Sequence, residues 1–418
     1  MSIATELQRI ETAKANLKTQ IEAKGVSVPS TATIDTYATY VQQIPQGGGS
    51  GGTTDYFKIT DLSHSNLVYL QFSRTGYYGD DLKIKASTDG ENWTSYSISG
   101  SGAGIQIYIP EDGYVLLDGS ENKMWSYDKD NYWNMGFNGP VKLSGKLSSL
   151  VSKDASNVCF ARLFVGQNKI KDASELILDY DYVQNYGYYL MFQSCTGMTG
   201  APTILATTFG DSACGSMFEG CYSLIAAPTI QPNSYTGSKV FLGAFLGCSS
   251  LTATQSAFTF TKMGDNVCQK MFSKCKSLTT APALPATIIS TYCYESMFAG
   301  CTSLTSAPAL PATALQTYCY QSMFAGCTGL TSAPILSADR LTGNCYTTMF
   351  SGCTSLSSIT CLATTGINST NTKNWVQGIS TTGTLYVASG ATSSWTQGNN
   401  GYPATWTIEE YTPPTPSQ

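Results

Sequence analysis

Apolar and polar positions recur with a fixed period through the middle of the chain. A small or apolar residue, Phe, two spacers and Cys appear together seven times: Met191-Phe192 with Cys195, Met217-Phe218 with Cys221, Ala244-Phe245 with Cys248, Met271-Phe272 with Cys275, Met297-Phe298 with Cys301, Met323-Phe324 with Cys327, and Met349-Phe350 with Cys353. By subtraction, successive phenylalanines lie 26, 27, 27, 26, 26 and 26 residues apart. Such a period predicts a solenoid, in which each unit is one supersecondary turn that must stack on its neighbours to bury its apolar face. Leu163-Phe164, with Gln167 in the Cys position, reads as a degenerate first turn.

The unit from Cys301 to Cys327 is the best kept. Cys319, Met323, Phe324 and Cys327 fall at roughly helical intervals, which predicts a compact helical turn or arc with these residues on one side. Ser303 to Pro311 is extended, and Leu304, Ala307 and Leu310 match Leu278, Ala281 and Leu284 one turn earlier. Stacking would set like residues about 4.8 Å apart, the spacing of paired strands. Pro202, Pro228, Pro282, Pro308 and Pro334 interrupt the extended runs. Each removes a ladder donor, so the hydrogen-bonded segment should be only a few residues long with the proline at its entrance.

These units resemble the leucine-rich repeats of BspA-like bacterial surface proteins, whose turns carry an AFxxC block, then SLTS and an apolar strand ending in Pro, as from Met297 to Pro311 here. The resemblance covers roughly Val158 to Leu362, with Met for Ala in most units and an extra Ala-Pro step. It implies a leucine-rich-repeat solenoid serving as a binding scaffold.

From Thr53 to about Leu150 the pattern changes to short alternating runs. Leu67 to Phe72, Leu82 to Ala86, Ile105 to Ile109 and Tyr114 to Leu117 are predicted strands, punctuated by Asp89-Gly90, Asp112-Gly113 and Asp118-Gly119. An all-β sandwich is expected. Similar domains, with a motif like Ser87 to Trp93 and a closing segment like Leu143 to Leu150, precede such repeats in gut-bacterial and phage proteins. After Leu362 the repeat fails, and the stretch holding Trp375, Gly383 to Val387, Trp395 and Pro403 to Ile408 reads as the cap that such an array requires.

At the N-terminus Ile3, Leu7, Ile10, Leu17 and Ile21 form a heptad stripe with Lys14 at the missing core position. This predicts either an amphipathic helix packed on its own chain or a short self-associating coiled coil, and the absence of another local apolar partner favours the second. Gly25 and Pro29 end it, and a second helix is expected from Ile34 to Ile44, capped by Thr33 and stopped by Pro45. Gly47 to Gly52 then reads as a flexible tether. The expected organisation is therefore a helical attachment segment over 1–45, a linker over 46–52, a β-sandwich over 53–150, a solenoid over 151–362, a cap over 363–411 and a loose tail over 412–418.

Composition narrows the function. The 418 residues carry 23 Lys and Arg against 28 Asp and Glu, a net charge of −5 with 12% charged residues, which argues against a nucleic-acid binder. No run approaches the roughly 18 apolar residues of a membrane span, and the first residues lack the apolar core of a signal peptide, so membrane insertion and export are not expected. Of 14 cysteines, twelve fall at repeat-locked positions, seven closing the repeat block and Cys214, Cys268, Cys293, Cys319 and Cys345 preceding it. Parallel side chains one strand spacing apart are poorly placed for a bridge, and no CxxC pair suggests zinc, so these are read as buried free thiols.

Candidate chemistry is sparse. His64, the single histidine, has Ser63 beside it but no motif-spaced acid that would complete a relay. Asp80, Asp81, Glu111 and Asp112 are the candidate glycosidase acids, and their positions beside turns read better as solvated turn residues. Asp128, Asp130 and Asn131 lack the Gly and distal Glu of a calcium loop. No enzyme, cofactor or metal site is expected.

The segment from Ile3 to Ile44 resembles the start of phage tail or fibre proteins, with a similar helix, a VxVP turn and an IDxYxxxI helix. The resemblance implies a virion appendage, assembled in the bacterial host cytoplasm, that oligomerises as a trimer and docks other virion proteins through its helices. Its repeats would contact a host-surface glycan or protein. The alternatives are a bacterial BspA-like adhesin and a glycan-degrading spike. The candidate partner-binding residues are Tyr292, Tyr294, Tyr318, Tyr320 and Tyr346, on the expectation that alternation about an inward Cys sends its neighbours outward; the alternative is that these rings merely cover the loop and stack on one another to stabilise the repeats.

Overall fold

The computed structural model describes residue 18 and residues 55–413, apart from residues 66, 77–80, 100–104, 123–124, 126–128, 154, 156–158, 231, 233 and 236. The chain divides into two units, Met1–Asp55 and Tyr56–Gln418. Of the first unit only Lys18 and Asp55 are described, so the two N-terminal helices, the coiled coil and the glycine tether lie outside the described residues.

Eight strands open the second unit: β1 (Phe57–Asp61), β2 (Tyr69–Thr75), β3 (Leu82–Ser87), β4 (Thr94–Ile98), β5 (Gln106–Tyr108), β6 (Tyr114–Asp118), β7 (Tyr132–Phe137) and β8 (Val141–Lys146). Their alternation in sequence places Phe57, Ile59, Leu70, Phe72, Ile84 and Val115 in a common core. β5, β2 and β7 pair antiparallel in one sheet, while β8, β1, β6, β3 and β4 line up antiparallel in the other. The Ser87 to Trp93 motif proves to be a self-capping turn. The Asp89 carboxylate accepts from the Asn92 side chain, the Asn92 and Glu91 amides and Ser87, which holds it well below the usual carboxylate range.

The sandwich runs into the repeats without a break. β8 pairs in parallel with β9 (Ile170–Leu178), and beyond the two-residue β10 (Tyr182–Val183) the chain returns as β11 (Thr203–Ile204) to pair with β9. One seven-stranded sheet therefore crosses the boundary expected at residue 150. β10, β12 (Thr208–Phe209) and β13 (Ser234–Tyr235) form a separate small parallel sheet across the first turns. The second sheet of the sandwich joins the repeats as well, because the Met135 amide donates to the Leu163 carbonyl at 2.8 Å. Gln167, which stands where later turns have Cys, accepts from the Phe137 amide at 3.2 Å and donates to Asn134 at 3.3 Å. The degenerate first turn is thus adapted to close the sandwich against the array.

Beyond it the chain is a solenoid. The arc around each Met-Phe pair is not helical, since every fourth residue takes a left-handed conformation: Tyr292 (φ 56°), Ser296 (φ 54°) and Gly300 (φ 76°) in one turn, and Tyr318, Ser322 and Gly326 in the next. A helix cannot continue through such positions. Amide donors alternate instead. Tyr292, Tyr294, Ser296, Phe298 and Gly300 donate to carbonyls of the following turn at 2.7–3.1 Å, whereas Glu295, Met297, Ala299 and Cys301 donate three residues back at 3.0–3.2 Å. Each arc is therefore closed locally and bonded to its neighbour, which satisfies the buried backbone.

A left-handed conformation costs a residue other than Gly about 1–2 kcal/mol. In the column running through Gly166, Gly220, Gly247, Gly300, Gly326, Gly352 and Gly378, only Ser194 and Lys274 bear a side chain. Space is not the reason, because a Cβ on Gly326 would meet its nearest atom at 3.8 Å; the φ of 73° is.

On the opposite side the paired segments are as short as expected, but the proline does not always stand at their entrance, since the bridged Thr280, Ser306 and Ser332 each precede theirs by two residues. Turns carrying Pro282, Pro308 and Pro334 are joined there by the single bridges Thr280↔Ser306 and Ser306↔Ser332, while β11 and the two-residue β14 (Ile335–Leu336) follow directly after Pro202 and Pro334. Where the repeat loses its proline the strands lengthen, giving β15 (Ser358–Cys361), β16 (Thr384–Val387) and β17 (Thr407–Glu410) in one parallel sheet with β14. That sheet carries the stack from the last repeat into the cap.

Candidate functional site

Stacking turns line up the repeated side chains into columns. Phe164, Phe192, Phe218, Phe245, Phe272, Phe298, Phe324 and Phe350 form an unbroken ladder with centroids 5.1–5.8 Å apart. Phe57 of the sandwich stacks on its first ring at 5.9 Å and Trp375 meets its last at 6.2 Å, so both ends are covered. Trp375 in turn stacks on Trp395 at 5.2 Å and donates its indole N–H to the Gly401 carbonyl at 2.7 Å.

All fourteen cysteines are buried and none forms a disulfide. Cys195, Cys221, Cys248, Cys275, Cys301, Cys327 and Cys353 each donate the thiol proton to the phenylalanine carbonyl of the preceding turn at 3.0–3.2 Å. Burial pushes these thiols up, to about 12 for Cys248 and Cys327. A thiol suits this position because it fills apolar space yet satisfies a carbonyl. Such thiols are poor nucleophiles and poor metal ligands.

The structure corrects the expected pair of outward tyrosine columns. Tyr294, Tyr320 and Tyr346 are each 1% exposed and belong to the core. They stack at 5.9 and 6.2 Å, and Tyr346 ends on Trp375 at 6.3 Å, a second ladder closed by the same indole. Alternation about Cys293 fails because the arc is not a strand: the left-handed turn at Tyr292 redirects the chain so that Cys293 and Tyr294 both face inward. Tyr292 and Tyr318 remain half-buried at the surface, where their rings stack at 4.7 Å and 16°.

Around this pair the surface is almost free of charge. Between Lys276 and Lys373 the only ionisable acids and bases besides cysteine and tyrosine are Glu295, Asp339 and Arg340, and Glu295 is buried against Gln269 and Ser296. Exposed hydroxyl residues such as Thr305, Ser306, Thr331 and Ser332 dominate this stretch.

The candidate catalytic residues do not converge. The Ser63 hydroxyl donates to Asp61 at 2.7 Å rather than meeting His64. His64 is exposed and held by Asp112, whose hydrogen bond and charge raise its pKa. Asp81 lies at the entry to β3, and Glu111 and Asp112 occupy the turn before β6. Asp130 pairs with Lys129. Asp80 and Asp128 lie outside the described residues. Among the described residues no group of three or more His, Cys, Asp or Glu side chains could hold a metal ion, and no helix is long and apolar enough to cross a membrane.

No protein-family model and no curated protein matches the chain. A crystal structure of a leucine-rich repeat protein from Bacteroides ovatus matches with a TM-score of 0.31 and 15% identity, covering 65% of this chain and 86% of that one.

Proposed function

We propose that this chain is an adhesive display protein, a phage tail or head fibre component whose solenoid attaches to the bacterial surface. The observation that carries the reading is the division of labour in the repeats. Every aromatic ladder and thiol column is spent inside, both ends of the Phe ladder are covered, and the outer surface from Lys276 to Lys373 is nearly uncharged with the Tyr292–Tyr318 pair at its surface. Such a surface suits recognition rather than chemistry. Tyrosine supplies a rigid apolar face with a polar tip, which suits sugar rings and protein epitopes alike. The virion assignment draws on the resemblance of Ile3 to Ile44 to tail and fibre proteins.

The alternative is a BspA-like adhesin of the bacterial surface, favoured by the repeat motif itself. Mass spectrometry of purified phage particles and of host envelope fractions separates the two. The fibre reading expects this chain in the particle, at a copy number fixed relative to other virion proteins; recovery from envelopes of uninfected cells alone would overturn it.

In the fibre reading the heptad stripe assembles three chains and docks other virion proteins. Replacing Leu7, Ile10 and Leu17 together with Ser should convert a trimer into a monomer by light scattering, because helices this short need a partner for stability. A parent chain that is already monomeric would refute self-association.

A further inference from the structure

The geometry points to a receptor for a single carboxylate at the junction of sandwich and solenoid, centred on Arg162 and fitted to a uronic-acid residue of an otherwise neutral polysaccharide. It rests on the attachment reading and names a ligand class for a second place on the same molecule. Arg162 occupies a left-handed position in the first arc (φ 59°), and its amide donates to the Tyr189 carbonyl of the next turn at 2.9 Å. Its carbonyl accepts from the Asn134 side chain of β7 at 3.0 Å, so sandwich and solenoid both fix its backbone.

The side chain is held just as firmly. The Nε–H donates to the Lys129 carbonyl at 3.0 Å, and the guanidinium lies over the Tyr132 ring at 5.4 Å. Among the described residues no carboxylate lies within ion-pair distance of it, and the terminal Nη groups have no partner. Lys129, the other nearby cation, is occupied by Asp130. The other strongly placed lysines are engaged too: Lys85 with Glu121 at 3.1 Å and Lys142 with Glu175 at 2.6 Å. Arg162 thus presents a planar fork whose orientation is fixed before any ligand arrives, the geometry that carboxylates match with two parallel bonds.

One aromatic ring, Tyr132, lies against the fork, and two more belong to the next arc, whose Tyr189 carbonyl accepts from the Arg162 amide. Tyr186 and Tyr189 meet edge to face at 5.5 Å, both are half-buried, and both lie close enough to Lys129 to influence its charge. Ring faces and phenolic hydroxyls beside one guanidinium suit a pyranose bearing one carboxylate. A densely charged polyanion is disfavoured, because the molecule carries a net charge of −5.

The left-handed columns also supply clean test variants. Asn occupies the same conformation at Asn266, Asn344 and Asn374, and Lys at Lys239, Lys270 and Lys274, so Arg162→Asn and Arg162→Lys should both fold. Full-length parent and variants would be titrated with an oligosaccharide alternating glucuronate and a neutral sugar, with the same oligosaccharide reduced at its carboxyls, and with a glutamate-rich peptide. The parent should bind only the first, and both variants should bind it about 10- to 100-fold more weakly, the loss expected for a charge-assisted pair. Lys should rescue little, since it keeps the charge and loses the fork. Equal binding of the carboxyl-reduced sugar, preference for the peptide, or loss in Tyr292→Ser/Tyr318→Ser but not in Arg162→Asn would overturn the subsite. Host-cell adsorption is measured in parallel. A parent that adsorbs but binds no uronate sugar removes the subsite alone, whereas Arg162-dependent sugar binding without adsorption removes the attachment reading alone.

Discussion

Raising the pH from 8 to 10 is expected to unfold the solenoid. Thirteen buried cysteines have their thiol pKa raised above the ordinary 9.0, chiefly by burial, to about 11 for Cys345, about 12 for Cys248, Cys327 and Cys361, and further still for most others. Above pH 9 the unfolded chain releases thiol protons that the folded chain retains, so stability falls as pH rises. The contribution is complete below pH 9 and is lost progressively toward the folded values. Each pH unit in that window removes about 1.4 kcal/mol per thiol. By pH 10 the combined loss is on the order of 15–20 kcal/mol, more than the roughly 5–15 kcal/mol that stabilises a typical domain. Circular dichroism and thiol absorbance after long incubation should change together between pH 9 and 10. Replacing Cys214, Cys268 and Cys319 with Ala should make stability fall less steeply with pH by about 1.4 kcal/mol per unit for each thiol removed. A native spectrum held at pH 11 would show that the columns are wet.

The features legible in the sequence are those that repeat. The Phe and Cys columns, the free thiols, the short proline-limited strands and the Trp-bearing cap all follow from a period near 26 residues, because stacking converts periodicity into contact. Tyr294 reads as a surface residue from sequence because two-residue alternation applies to strands, and nothing in the local pattern announces a left-handed residue at Tyr292. Its column contains Tyr, Asn, Lys and Ser alike, so composition gives no signal there, whereas the Gly300 column is visible as the Gly before five of the seven block cysteines. The sheet that joins sandwich and solenoid is silent in the sequence because parallel pairing of β8 with β9 leaves no turn signal between them. The Arg162 site has the same origin. Its parts come from β7, the preceding loop and two successive arcs, which only the fold brings together.

Phe324→Ala tests what the phenylalanine ladder contributes. The ring is fully buried and stacks on Phe298 and Phe350, each at 5.8 Å, with planes within 7°. Its carbonyl accepts both the Cys327 amide and the Cys353 thiol at 3.0 Å, bonds that truncating the side chain leaves in place. The loss therefore belongs to the ring. Phe-to-Ala changes in cores cost about 3–5 kcal/mol, and the rigid, backbone-bonded arcs on either side limit collapse into the cavity, which favours the upper part of that range. Because each turn touches only its neighbours, the damage should be local in origin and spread through the two flanking interfaces. Combining Phe324→Ala with Phe298→Ala opens one shared cavity and should depart from additivity, whereas combining it with Phe218→Ala, four turns away, should add within about 0.5 kcal/mol. Urea melts of the three single and two double variants give the comparison. A Phe324→Ala protein that melts like its parent, or adjacent and distant pairs that behave alike, would mean that the rings do not act as a continuous ladder and that the thiol and backbone bonds alone hold the turns together.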